Sequence, residues 1–273
     1  MQVQLQSPVG LNTVNREDDV RALQAGLKEA ARLTLDDRLG PGLIDGLYGP
    51  GTAGAIATMQ RRIGMRRPDG RVDPGGSTLG RLNALLAIDK VVLTFPFASH
   101  PEDRFPFRGI DAGPRRFGAR RSGGQRAHAG IDLYQPDFTP VLAIAGGTVI
   151  GTPSYFYNQT YAVVIDHGPF IAWYGEIAPE DDWFVRDGDQ VTAGQQVGRV
   201  GILKHSNGHR MNLPSMMLHF EMYDKTQPAT HGLTQRTRSR SALSEHGVPF
   251  YRRKDLIDPT GFIHRATLPS PPA

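Results

Sequence analysis

A chain of 273 residues has room for two modest domains or one large one. Its 31 Lys and Arg against 27 Asp and Glu leave it only mildly basic, and no stretch approaches the roughly 20 consecutive apolar residues that a membrane-spanning helix needs. The complete absence of cysteine excludes disulfides and thiolate metal sites, so any zinc site has to be built from His, Asp or Glu.

The N-terminal segment MQVQLQSPVGLNT has neither a basic start nor an apolar run, so it does not read as a secretory signal peptide. From there to residue 86 the pattern is helical. Val20, Leu23, Leu27 and Ala31 recur at three- and four-residue spacing, with Asn15 as the candidate N-cap. After the Gly/Pro-rich LGPGLIDGLYGPGT, a second helix carries Ala55, Ile56, Met59 and Ile63; after PDGRVDPGG, a third carries Leu79, Leu82, Leu85 and Leu86. Thr52 and Ser77 are candidate caps for these two, because a hydroxyl can accept a free first-turn N–H. Three short helices with glycine-rich connections predict a small bundle over residues 1–90.

Residues 91–120, punctuated by Pro96, Pro101, Pro106 and Pro114, read as an irregular linker. Short alternating runs follow at Val141–Ile150, Tyr161–Asp166, Phe170–Ile177, Gln195–Ile202 and Met216–Tyr223, separated by Gly-rich turns. They predict an antiparallel β domain within 91–273, and the fold class is therefore α+β. The tail ATLPSPPA, residues 266–273, is proline-rich and reads as disordered. Arginine runs at Arg115, Arg116, Arg120 and Arg121, at Arg236, Arg238 and Arg240, and at Arg252, Arg253 and Lys254 either attract an anionic polymer or face solvent. No motif or aromatic interleaving supports nucleic-acid binding.

Two segments carry candidate chemistry. In AHAGIDLY, His128 and Asp132 stand among small and apolar neighbours; in MMLHFEMY, His219 and Glu221 alternate along a strand, opposite in facing to Leu218 and Phe220. Two imidazoles and a carboxylate form a known catalytic zinc set with a position open for water, although a structural histidine is the usual reading of any single His. His167 reads as structural, as do most of the aromatics Tyr155, Tyr157, Tyr161, Trp173 and Tyr174; Tyr174 and its neighbours are also candidates to line a substrate groove.

These motifs, H-x-x-x-D at His128–Asp132 and H-F-E at His219–Glu221, resemble those of the lysostaphin-like zinc endopeptidases of bacterial cell-wall peptide. The similarity spans about Arg116 to Ile263 and includes TPVLAIAGGTVI, YAVVIDHG and VRDGDQVTAGQQVGRVG. It implies a duplicated-hybrid-motif β fold, Zn2+ as cofactor, and His128, Asp132 and His219 as ligands. Two departures stand out. The family's first His of H-x-H is Met217 here, and its Y-x-H is Tyr174-Gly-Glu176. Methionine cannot exchange a proton, whereas a carboxylate beside the water can serve as general base, as in H-E-x-x-H metalloproteases. Glu176 is thus the candidate base. His209, with His205 in KHSNGHRMNLPS, is a candidate imidazole for the oxyanion or an exposed loop residue.

The segment LIDGLYGPGTAGAIATMQRRIGM resembles the three-helix peptidoglycan-binding domain, with Asp45, Gly46, Tyr48, Gly49 and Thr52 in its pattern and Tyr48 as a candidate sugar contact. DGRVDPGGSTLGRLN echoes it, with Asp73 and Thr78 in comparable places. The pairing implies a peptidoglycan endopeptidase tethered to its polymer. The alternatives are an inactive zinc- or wall-binding protein, and structural cargo of a phage tail or contractile injection machine. The combination is also similar to type VI secretion cell-wall effectors, which implies action in the periplasm of a target cell, export without a signal peptide and a cognate immunity protein as partner.

Overall fold

Helix α1 (Glu17–Thr34) forms where the apolar spacing predicts it, burying Val20, Leu23, Leu27 and Ala30, with Glu17, Asp18 and Asp19 at the positive end of its dipole. It stops at Leu35, whose left-handed backbone (φ 52°) terminates the helix, and Asp36 N then closes onto Ala31 O. Helix α2 (Pro50–Arg62) starts on a proline, whose missing N–H costs nothing in the first turn, and α3 is Ser77–Ile88. The computed structural model describes residues 1–100, 113–151, 153–181, 183–213, 215–226, 242–243 and 247–269.

The expected caps are not used. The N-cap positions are Arg16, Gly49 and Gly76, none with a capping side chain. Asn15 instead accepts from Gly10 N, and Thr52 lies inside the first turn of α2, where its hydroxyl accepts from Gln24. Gln24, 1% exposed, explains the D-G-x-Y-G motif: its amide donates to Asp45 Oδ1 and Leu47 O, and its carbonyl accepts from Gly46 N. Gln60, fully buried, repeats the device, donating to Asp69 Oδ1 and Arg71 O and accepting from Gly70 N. The second turn is therefore the counterpart of the first through Asp69–Gly70 rather than through Asp73, because it is Asp69–Gly70 that the buried glutamine holds.

The main sheet has eight strands: β1 (Ile131–Gln135), β2 (Gly147–Val149), β3 (Ser154–Tyr155), β4 (Tyr161–Asp166), β5 (Ile171–Ile177), β6 (Gln190–Val191), β7 (Met216–Tyr223) and β8 (Leu256–Ile257). Their order is β6-β2-β4-β5-β7-β8, with β1 on the first half of β7 and β3 on the start of β4, every pair antiparallel. The run 141–150 divides into two pieces. Ile144 gives its N–H to the Tyr174 hydroxyl and its carbonyl to Thr94 N, so the ladder cannot continue through it. Residues Pro140–Leu142 pair instead with Gln196–Arg199 in a separate ribbon.

Along β7 the alternation holds: Leu218, Phe220 and Met222 join the large core with Ile131, Leu133 and Val163, while His219, Glu221 and Tyr223 face the other way. Parts of the expected linker and tail are packed, whereas residues 101–112 of the linker lie outside the described residues. Phe95 and Phe97 are fully buried, and the tail's Thr267 exchanges bonds with Leu93 and Phe95. Residues 270–273 and Arg236, Arg238 and Arg240 lie outside the described residues.

The helical and β parts meet through α3 and through α4 (Thr260–Arg265), which packs on α1. Buried Arg81 pairs with buried Asp224 and donates to Lys254 O at 2.6 Å, and Arg265 donates to Leu33 O at 2.8 Å. Among the described residues no helix is long and apolar enough to cross a membrane.

Candidate metal centre

The register of β1 on β7 puts Asp132 directly opposite His219. Gly130 makes this approach possible, since a Cβ there would stand 2.3 Å from Phe220 O. His128 arrives from the segment before β1, which is bonded at both ends: Gly118 N donates to His128 O, and His128 N to Ala119 O. The three side chains converge. His128 Nε2, Asp132 Oδ1 and His219 Nδ1 form a triangle with edges of 3.0, 3.0 and 3.1 Å. All three residues are buried.

The outer bonds of this triangle define which atoms face inward. His128 Nδ1 lies 2.9 Å from Arg116 O, and a carbonyl can only accept, so Nδ1 carries the proton and Nε2 a lone pair. His219 Nε2 lies 2.8 Å from Glu221 Oε1, which leaves Nδ1 its lone pair. Glu221 is itself fixed by Arg252 and by the Tyr223 hydroxyl. Three lone-pair atoms that close together need a positive charge between them. Without a cation that charge is a proton on His219: burial lowers its proton affinity, but the hydrogen bonds to Asp132 and Glu221 outweigh it and lift its pKa to about 9, so the Nδ1 lone pair is free only when a bound cation replaces that proton. Burial also opposes the charge on Asp132, yet His128 and His219 hold it well below the usual carboxylate range, and Arg121 donates to its other oxygen at 2.8 Å. Neutral imidazoles and a carboxylate at this spacing are a donor set that would hold a Zn2+ ion.

Glu176 lies near enough to the triangle to feel the charges of Asp132 and His219, and a backbone irregularity positions it. The pairing of β4 with β5 shifts between Tyr174 and Ile177, and Glu176 has a left-handed backbone (φ 62°), a strained conformation for a residue with a side chain. At 2% exposure, its Oε1 accepts from the Tyr157 hydroxyl at 2.7 Å, while its buried Oε2 has no partner among the described residues. Burial first, and the Asp132 charge second, push its pKa up to about 8. Beside it, Gly175 leaves the space into which the Phe156 ring fits, 5.4 Å from the His219 ring.

The other sequence candidates make no bond to the triangle. Tyr174 is fully buried, its hydroxyl bonded to Ile144 N and His167 Nε2, which puts it in the core rather than in a groove. His167 is held by Gly146 O as well, and is structural. His205 and His209 lie on an exposed hairpin tied to the Tyr157 loop by Lys204 N to Asn158 O and Gln159 Nε2 to His205 O; no bond joins the His209 ring to the triad. Tyr48 is half-buried and donates to Gly70 O. Met217 shares the face of His219 and is buried. Sequence reasoning offered Tyr157 only as a groove or core aromatic and Arg121 and Arg252 only as members of arginine runs; their contacts join residues 11 to 31 positions apart, and no short motif marks them.

Two histidines and an aspartate thus offer three converging donor atoms that could hold one metal ion, near a buried carboxylate whose second oxygen has no partner among the described residues. The profile of peptidase family M23 matches residues 126–230, and that of a "Putative peptidoglycan binding domain" matches residues 16–78. The chain thus carries a lysostaphin-like M23 peptidase domain behind a domain of the peptidoglycan-binding type. Solved structures similar to it include lysostaphin from Staphylococcus simulans (18% identity, 66% of this chain and 52% of that one, TM-score 0.35). Others are a zinc-containing peptidase from Vibrio cholerae (23%, 49% and 36%, TM-score 0.34) and CbpA from L. salivarius REN (18%, 63% and 95%, TM-score 0.39). The chain therefore spans about half the length of that lysostaphin and about a third of the Vibrio peptidase. No curated protein matches it.

Proposed function

We propose that this protein hydrolyses peptide bonds in the stem peptides or cross-links of bacterial peptidoglycan, using Zn2+ held by His128, Asp132 and His219. The observation that carries the reading is the convergence of three inward lone pairs next to Glu176 Oε2, a buried acceptor with no other partner. When bound, the cation supplies positive charge that acidifies water and polarises a carbonyl. Glu176 accepts the proton, in place of the imidazole of the family pattern. A positive charge at the triangle offsets the Asp132 charge that resists its ionisation. Tyr157 holds Glu176 by its other oxygen, which leaves Oε2 without a protein partner among the described residues and available to accept a proton. His209, on the hairpin bordering the Tyr157 loop, is the second group of the proposal, donating to the carbonyl oxygen as negative charge develops there. Glu221, anchored by Arg252, keeps the His219 lone pair pointed at the metal.

The N-terminal domain holds the enzyme on an insoluble polymer and so raises the local concentration of scissile bonds. Release of cleaved stem peptides from purified sacculi, abolished by a chelator and restored by zinc, is the expected result. Zinc binding without any cleavage would instead identify a wall-binding protein that has lost catalysis with its second imidazole. Export by a contractile injection machine is tested separately, by loss of the protein from the medium of a strain lacking that machine.

A further inference from the structure

Between the C-terminal end of α2 and the β domain runs a cleft of about 440 Å³, distinct from the metal centre. Among the described residues six arginines line it, Arg38, Arg61, Arg62, Arg66, Arg81 and Arg116, and Asp258 is the only carboxylate residue. Nearby acids balance part of this charge. Asp36 bridges Arg38 and Arg62, and Asp224 pairs with Arg81. Arg61 and Arg66 are exposed and have no ion-pair partner among the described residues. The lining also holds apolar side chains, among them Met59, Leu85, Phe117 and Phe250. A single segment belongs to both sites: Arg116 and Phe117 line the cleft, while the Arg116 carbonyl fixes His128 at 2.9 Å.

We propose that this seam is a second recognition site for substrate, taking a short peptide that bears free carboxylates. The inference rests on the peptidoglycan reading above for the source of that peptide. Guanidinium groups match carboxylates as planar two-pronged donors, and they do so most strongly where water is partly excluded. A lining that combines cations with apolar side chains suits a peptide carrying both carboxylates and small methyl side chains; a phosphodiester polymer has nothing to place on Phe117 or Phe250. The volume accommodates a short peptide and not a folded partner. A peptide lodged here lies against the segment that carries His128, so the wall is held on the side from which the first metal ligand is supplied.

The test uses the full chain in chelator, so that nothing is cut, and a dye-labelled stem pentapeptide with free carboxylates followed by fluorescence anisotropy. Wild type is expected to bind it at least tenfold more tightly than the same peptide with its carboxylates amidated. R61E/R66E is expected to lose at least tenfold in affinity for the free-carboxylate peptide, and R61Q/R66Q to fall between, with unaltered circular dichroism. Equal affinity of wild type and R61E/R66E, or of the free and amidated peptides, overturns the proposal. So does tighter, Arg61- and Arg66-dependent binding of a polyribitol phosphate. With zinc restored, cleavage of sacculi at an unchanged KM by R61E/R66E removes the cleft alone. Arginine-dependent peptide binding by a protein that cleaves nothing removes the hydrolase reading alone.

Discussion

The Tyr157 hydroxyl and Glu176 Oε1 stand 2.7 Å apart, joining a loop residue to a carboxylate that no other described side chain binds. Burial and Glu176 together raise the Tyr157 pKa, so the phenol stays protonated and donates. Donation to one oxygen only leaves the other for water. Glu176→Gln keeps the size and the Tyr157 contact but cannot take a proton. Its kcat on stem peptides is expected to fall about a thousandfold, with zinc content by atomic absorption unchanged. A fully active, zinc-loaded Gln variant ends the assignment.

Tyr157→Phe removes the donor and leaves both oxygens of a buried carboxylate without protein partners. A hydrogen bond to a charged group contributes about 1.5–3 kcal/mol, so kcat/KM is expected to drop between about tenfold and a hundredfold while metal affinity holds. A loss confined to thermal stability, with kcat/KM intact, would show that Tyr157 only packs.

Glu221→Gln weakens the acceptor that sets the His219 tautomer and leaves Arg252 without its buried counter-charge. Zinc affinity is expected to fall about 10–100-fold, read by competition with a chromophoric chelator. Unchanged affinity would mean that the backbone alone orients the ring. His219→Ala, which deletes a ligand, is expected to abolish stoichiometric binding altogether.

Arg81→Ala strands the buried Asp224 carboxylate at the seam between the two parts of the molecule. Breaking one side of a buried pair costs about 3–5 kcal/mol, seen as a lowered Tm and a lower midpoint in urea. Burial already pushes the Asp224 pKa up despite Arg81. The double variant R81A/D224N is expected to recover part of the loss, and failure to recover any would assign the cost to Arg81 packing instead.

His167 gives stability an acid-sensitive component far from the metal. Burial holds its pKa down to about 4, below the ordinary 6.5, and its ring bonds to Gly146 O and Tyr174. The unfolded chain therefore takes up a proton before the folded one does. The contribution is complete above about pH 6.5 and is lost as pH falls toward 4, amounting to about 3 kcal/mol. Urea midpoints of wild type and His167→Gln across that window are expected to converge as the pH drops. Parallel curves would refute it.

Local pattern alone was enough for the three helices and for β4 and β7 at their observed limits, and the two motifs put forward His128, Asp132 and His219, which the fold brings together. Helical spacing, strict alternation and the two motifs are all properties of short stretches, and His219 and Glu221 share a face simply because strand side chains alternate. What stood outside its reach depends on contacts between distant residues. The caps moved because glycine and arginine backbones, not Asn15, Thr52 or Ser77, occupy the N-cap positions. The strand expected at 141–150 broke because Thr94 and Tyr174 take the backbone groups of Ile144. Tyr174 went into the core, while Glu176, two residues on, was turned into the site by a bulge that no propensity announces. Tyr157, Arg121 and Arg252 acquire their roles only when the sheet closes, because an ion pair or a hydrogen bond is a matter of a few ångströms in space and leaves no periodic trace along the chain.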